Sequence, residues 1–269
     1  MNPDYAAQAA LLPDLGPVVA EYPHPLVFAT VSGAHLYGFP SADSDVDLRG
    51  THLLPVADLI GLRAPVQTLS RMWDRDGVEM DLVTHDLVKF SRLLLRPNGY
   101  VLEQLLSPLV VHTTQAHAEL TDLVPDLLTS RHADHYQGFA ATQWKLFAKT
   151  GELKPLLYTF RVLLTGIHLM RTGQLLAHLP ALAEQENAPG YLNDLITAKA
   201  RAEHLRLNQL DLPPDQERLN ADILSLRSRL EAARTTTHLP AEPTANSAVN
   251  DLVVRARLAH DRELFGPIG

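Results

Sequence analysis

The stretch "HPLVFATVSGAHLYGFPSADSDVDLRG", residues 24 to 50, decides how this chain is read. Leu26, Val27, Phe28, Thr30 and Val31 are mostly strand formers, so "HPLVFATVS" (24–32) predicts a first strand. Gly33 to Gly38 predicts a tight turn or the start of a short helix. "FPSADS" (39–44) reads as a connecting turn and "SDVDLRG" (44–50) as a second strand. Asp45 and Asp47 stand in that second strand. Side chains two apart on a strand point the same way, so the two carboxylates repel unless something positive lies between them. Mg²⁺ is the natural occupant, a hard cation bound by carboxylates together with substrate phosphates. Taken alone, a D-x-D pair is more often two solvent-facing aspartates on an edge strand.

Two further features change that weight. "VQTLSRMW" (66–73) and "VEMDLVTH" (78–85) predict a third and fourth strand around the "DRDG" turn (74–77). Asp81 lies in the fourth, and a neighbouring strand would bring it beside the pair. Three carboxylates can hold two Mg²⁺ ions and activate an attacking oxygen. Glu79 shares the expected face and is the weaker candidate. Gly33 and Gly38 bracket the turn after the first strand, where glycine lets backbone N–H groups approach an anion closely.

The remainder reads as helix. "PVADLIGL" (55–62) predicts a short helix with proline at its start, and "DLVKFSRLLLR" (86–96) a helix with Asp86 at its N-cap. "YVLEQLLS" (100–107) restarts one before Pro108. Beyond residue 115 only helices are expected, over 115–129, 133–149, 154–172, 191–206, 215–233 and 247–262. The chain therefore divides near residue 110, into a mixed sheet-and-helix unit (1–110) and a helical unit (111–269) that completes the cleft. The fold class is α+β.

The 269 residues are 46% apolar, enough for a substantial core, and contain no cysteine, which excludes disulfides, thiolate nucleophiles and cysteine-ligated metal sites. The opening "MNPDYAAQAALLPDL" does not read as a secretory signal, and no stretch reaches 18 uncharged apolar residues. A cytoplasmic protein without a membrane partner is the expectation. A net charge of −8 is unlike a general binder of long duplexes, which is more often basic.

The segment "GAHLYGFPSADSDVDL" resembles the signature of the DNA polymerase beta-like nucleotidyltransferase superfamily: a Gly-Ser pair, a second Gly four residues after the Ser, Asp-x-Asp on the next strand, and a third carboxylate on a later one. With "DLVKFSRLLLRPNGYVLEQL" and "HYQGFAATQW", it resembles more narrowly a bacterial branch of predicted nucleotidyltransferases, over most of the chain. The resemblance implies a small mixed β-sheet nucleotidyltransferase domain with flanking helices, followed by a helical domain. It implies Asp45, Asp47 and Asp81 as catalytic, metal-binding carboxylates for Mg²⁺ or Mn²⁺. Gly33, Ala34 and Gly38 would form the phosphate loop for a nucleoside triphosphate, with ATP expected. The sequence departs from the pattern at Ala34, where the family has the Ser that contacts the terminal phosphates, so one hydroxyl donor is missing.

"KPLLYTFRVLLTGIHLMRTG" (154–173) is mostly apolar, yet Lys154, Tyr158, Arg161, Thr165 and His168 follow steps of four, three, four and three and form one polar stripe. A buried helix needs a reason to spend a face on polar groups. A phosphate-binding cleft supplies one, with Lys154, Tyr158 and Arg161 as nucleotide ligands; a solvent-facing stripe is the competing reading. Lys145 and Lys149 suit the end of their helix through its dipole, and Lys89 suits the surface. His132 and His135 lack further ligands for zinc. His85 would orient a group beside the site, Asn98 and Glu103 would support the end of the sheet unit, and His35 faces either phosphate or solvent. The expected activity is metal-dependent transfer of an NMP from an NTP to a hydroxyl acceptor with release of pyrophosphate. The acceptor is a small molecule, a protein side chain or an RNA end. The alternative is a catalytically degenerate nucleotide- or RNA-binding regulatory module, with Ala34 as its first sign.

Overall fold

A computed structural model describes residues 5–202 and 204–265, with side chains as far as residue 259. In chain order it runs α1 (Ala6–Ala10), α2 (Gly16–Ala20), β1 (Leu26–Val31), α3 (Gly33–Tyr37), β2 (Val46–His52), α4 (Val56–Ile60), β3 (Thr68–Arg75) and β4 (Val78–Asp86). There follow α5 (Leu87–Leu94), α6 (Gly99–Leu105), β5 (Val110–His112), α7 (Gln115–Asp122), α8 (His132–Thr150) and α9 (Leu153–Thr172). The chain closes with α10 (Leu179–Gln185), α11 (Leu192–Lys199), α12 (Gln216–Thr236) and α13 (Asn246–Phe265). The fold is α+β: a small mixed sheet with flanking helices, and a separate helical domain. The described residues form two compact units. One holds the segment ending at Ala10, Gly33–Asp45 and Leu128–Glu242; the other holds Leu11–Ser32, Val46–Leu127 and the segment from Pro243 onward. The sequence reading cuts the chain once near residue 110, whereas these units interleave: the glycine segment after β1 belongs with the helices, and α13 belongs with the sheet.

The sheet has the order β3-β4-β2-β1-β5. β1 pairs antiparallel with β2 and β5, β3 antiparallel with β4, and β2 parallel with β4. The β3–β4 hairpin closes through Asp76 and Gly77, both at positive φ (55° and 83°), as an Asp-Gly turn requires. β4 alternates core and surface along its length, with Met80 and Leu82 inward. Asp86 ends β4 and caps α5, accepting from the Val88 amide at 2.9 Å. It also takes Arg257 from α13 on both carboxylate oxygens, at 2.9 and 2.8 Å, and is fully buried. A sequence expectation of a simple N-cap thus understates Asp86, whose second role depends on a partner 171 residues away.

In the other unit α9 is the central helix. Sixteen of its twenty residues are buried, and α8, α10, α11 and α12 pack around it. Its apolar faces leave almost no surface for water, so the helix is held by packing rather than propensity. Sequence reasoning passed over β5, α1, α2 and α10, each seven residues or shorter. None of the described helices is long and apolar enough to cross a membrane.

Two buried histidines make the fold acid-sensitive. Burial, opposed by Asp86 and reinforced by nearby His24, Arg257 and His85, lowers His52 to about 4. Burial, partly offset by a hydrogen bond to the Thr129 backbone, lowers His132 to about 4. In the unfolded chain both protonate near 6.5, so between pH 6.5 and 4 the unfolded state binds more protons. The stability is fully present above pH 6.5 and declines as pH falls towards 4, by about 3 kcal/mol per histidine. Thermal melts from pH 7.5 to 4.5 should show Tm falling in this window, with a shallower slope in His132→Gln. An equal slope in that variant would refute the assignment.

Candidate active site

β2 and β4 run parallel with Asp47 directly opposite Asp81, and Leu48 opposite Leu82. Adjacent strands lie about 4.8 Å apart, so the two aspartates share a face and stand side by side. Their side chains keep 17% and 23% exposure. Two carboxylates at that spacing repel, and the protein answers with a cation of its own. Arg49, two residues beyond Asp47 on the same face, donates from Nη2 to Asp47 Oδ1 at 2.5 Å and to Asp81 Oδ2 at 2.7 Å. Its Nη1 donates to the carbonyls of Leu48 (2.9 Å) and Asp81 (2.7 Å), and its Nε to the Tyr100 hydroxyl (2.9 Å). Burial alone would lower the Arg49 pKa; Tyr100, Asp47 and the hydrogen bonds to Tyr100 and Asp81 outweigh it, and the pKa is raised. Sequence reasoning missed Arg49, whose only signal is that it falls two residues after the second aspartate and so on the same face.

Asp45 lies one residue before β2 and is half-buried. Glu79 is exposed and pairs with Asp74 beside the hairpin. Among the described residues no group of three or more His, Cys, Asp or Glu side chains is gathered where it would hold a metal ion. The expected trio is present as one registered pair, with Asp45 two residues upstream in the chain. The chemistry of the donors still suits a divalent ion: paired hard carboxylates that already draw a cation.

The glycine segment folds as α3 with Gly33 at φ 62° and Gly38 at φ 83°, conformations costly to any residue with a Cβ. Ala34 and His35 are buried within it. Both ring nitrogens of His35 lack a protein partner; burial lowers its pKa, against the pull of Asp45. Arg161 of α9 lays its guanidinium 3.7 Å over the Tyr37 ring of α3, and Tyr158 meets Tyr37 and Phe39 edge-on at 5.3 and 5.8 Å. Arg161 is 1% exposed, and Lys154 is half-buried. The lower part of the stripe has another use. Thr165 donates to the Leu176 carbonyl, and His168 meets buried Glu186 at 3.0 Å, which Arg171 also holds at 2.6 Å.

Lys145 and Lys149 are exposed on α8. Lys89 bonds Thr68, and His85 the same hydroxyl at 2.9 Å. Asn98 caps α6 through the Tyr100 amide, Glu103 is buried, and His132 Nδ1 lies within hydrogen-bond distance of Thr129. A second residue missed from sequence is Lys199. It is fully buried at the end of α11, donating to Ser41 at 3.1 Å in the loop before Asp45. A lysine ending a helix looks like a dipole partner, so nothing local marks it. A groove of about 400 Å³, lined by Tyr22, Leu69, Arg71, Trp73 and Leu82, lies on the sheet face away from Asp47 and Asp81.

Residues 8–255 match the family described as "RlaP: RNA repair pathway DNA polymerase beta family". The chain belongs to that family. It is thereby a member of the DNA polymerase beta-like nucleotidyltransferase superfamily, as its glycine and aspartate signature implied. It is 30% identical over 154 residues to the uncharacterized protein MJ0002 of Methanocaldococcus jannaschii, covering 55% of this chain. The aligned part spans 61% of that relative's length. A nucleotidyltransferase-like protein from Exiguobacterium sibiricum superposes over 93% of this chain and 88% of its own, with 13% identity and a TM-score of 0.32.

Gly38→Ala tests the local geometry of the RlaP glycine segment. A Cβ there would come within 2.4 Å of His178 Nε2 and 2.9 Å of Pro180 Cδ, at a φ that disfavours it. Strain and overpacking together should cost roughly 2–4 kcal/mol in urea unfolding. A loss below about 0.5 kcal/mol would show that the segment relaxes freely.

Proposed function

We propose that this chain is a divalent-metal-dependent nucleotidyltransferase that moves an NMP from an NTP to a hydroxyl acceptor. The registered pairing of Asp47 with Asp81 on parallel strands is the observation that carries the reading. Asp45, Asp47 and Asp81 are its metal-binding carboxylates, and Mg²⁺ or Mn²⁺ bound there would supply the positive charge that activates the acceptor oxygen. Gly33, Ala34 and Gly38 present backbone donors to the triphosphate, with ATP as the first nucleotide to test. Arg161, Tyr158 and Lys154 offset and orient phosphate charge, a role that suits a guanidinium held rigidly by stacking. The acceptor oxygen bonds to the α-phosphorus, the bond to the β-phosphate bridge breaks, pyrophosphate leaves, and the hydroxyl proton goes to solvent. The family's RNA repair description favours an RNA end over a small molecule or a protein side chain as acceptor. Ala34 favours a second reading, a nucleotide- or RNA-binding module that has lost turnover.

The test is release of labelled pyrophosphate from each NTP with Mg²⁺ or Mn²⁺ and RNAs bearing free hydroxyl ends. The protein should release it, and Asp47→Asn should lower the rate at least about a hundredfold, a loss near 3 kcal/mol of transition-state stabilisation. NTP binding without release from any acceptor would overturn transfer and favour the binding module.

A further inference from the structure

β3 sets Leu69, Arg71, Trp73 and Arg75 on one face, because side chains two apart on a strand point the same way. With Tyr22 and buried Leu82 they line the groove of about 400 Å³, a size that suits a small ligand or one unit of a longer one. The Arg71 guanidinium lies 4.5 Å from the centroid of the Trp73 ring. Arg75 follows two residues beyond Trp73, about 7 Å along the strand. Among the described residues neither arginine has a carboxylate within ion-pair distance. Glu21 is the one acidic side chain on the groove, and it is exposed. The groove therefore carries an excess of positive charge on a chain whose net charge is −8. Two like charges flanking a half-buried indole repel, and an anion between them relieves the repulsion. A bare phosphate would gain nothing from Trp73 or Leu82. A nucleotide brings both parts at once: a flat base for the indole or guanidinium plane, and a phosphate for the arginines.

We propose that this groove binds one unpaired nucleotide of a single-stranded RNA, its base stacked on Trp73 and its phosphate on Arg71 and Arg75. This rests on the reading of an RNA end as acceptor and adds a second point of contact, on the sheet face away from Asp47 and Asp81. Only β3 stands between the strand that carries Asp81 and the edge of the sheet. An RNA whose end lies at the carboxylates reaches the groove by passing over that edge at Met72, which pairs with Asp81 and is 67% exposed. The groove selects single strands, since a paired base must first leave its stack to meet the indole.

Trp73 and Trp144 are the two tryptophans of the chain, so in Trp144→Phe the emission reports Trp73 alone. A single-stranded oligoadenylate should quench it saturably, and free AMP and a blunt RNA duplex should each bind at least about tenfold more weakly. Arg71→Gln combined with Arg75→Gln should weaken oligoadenylate binding at least about tenfold, read by anisotropy of labelled RNA. The same pair should flatten the dependence of log K on log salt by about one. Trp73→Leu should cost about tenfold in affinity. In turnover the arginine pair should raise KM for RNA and leave kcat unchanged. The proposal is overturned if oligoadenylate leaves Trp73 emission unaltered, or if the arginine pair binds RNA with wild-type affinity and salt slope. AMP binding as tightly as oligoadenylate would assign the groove to a free nucleotide and overturn the RNA assignment; a duplex binding as tightly would overturn the stacked base. Should Trp73→Leu fail to fold by circular dichroism, the arginine pair, whose side chains reach water, decides the matter alone. The expected binding pattern without pyrophosphate release would sink the transfer reading and spare this site. Release from RNA acceptors with KM unchanged in the arginine pair would do the reverse.

Discussion

The parallel pairing of β2 with β4 is the constraint on which the site depends. Parallel neighbours cannot be joined by a tight turn, so the chain leaves β2, runs through α4 and β3, and returns through the Asp76-Gly77 hairpin to lay β4 alongside. The register is pinned by burial. Val46 and Leu48 of β2, and Met80 and Leu82 of β4, all face the core. A slip of one residue would turn Asp47 or Asp81 into that core, at a cost no local interaction offsets. Hydrophobic alternation thus decides where two carboxylates meet.

Their meeting creates a charge problem, and the sheet solves it on its own face. Arg49 comes from the same strand as Asp47 and reaches across to Asp81 and to Tyr100 of α6. Asp86, five residues beyond Asp81, meets the same kind of demand with Arg257. Both arginines are nearly buried and both donate to backbone carbonyls as well as to carboxylates. Such pairs add less to stability than their short distances suggest, because both ions are desolvated, but losing one partner is costly. The helical unit follows the same logic with different groups: Arg161 on the Tyr37 ring, Lys199 on Ser41, Glu186 between His168 and Arg171. The polar stripe of α9 therefore serves two ends. Its first half meets the glycine helix, and its second half ties the helical unit together.

The glycine segment and the strand that follows it carry the family signature, yet they fall in different units. Gly33–Asp45 groups with the helices, and Val46 onward with the sheet. A chain that passes from one unit to the other between adjacent signature residues explains why no single boundary near residue 110 describes it. The short elements that escaped sequence reading have a related cause. β5 is three residues long and exists because β1 offers it an edge, with Ala29 opposite His112 and Thr30 opposite Val110. Nothing in "VVH" distinguishes it from a loop.

The sequence by itself determined what local physics controls. Runs of strand formers mark β1 to β4, Asp-Gly marks the hairpin, Asp86 opens α5, and an apolar run of helical length makes α9. The glycines and aspartates, set in order, mark the superfamily. Tertiary structure decided what depends on a distant partner: that Asp81 stands beside Asp47, that Arg49 lies between them, that Lys199 reaches Ser41, and that Asp86 receives Arg257. A side chain's type and spacing are written in a few residues. The company it keeps is set by which strands and helices bury their apolar faces together, a choice made by the whole chain at once.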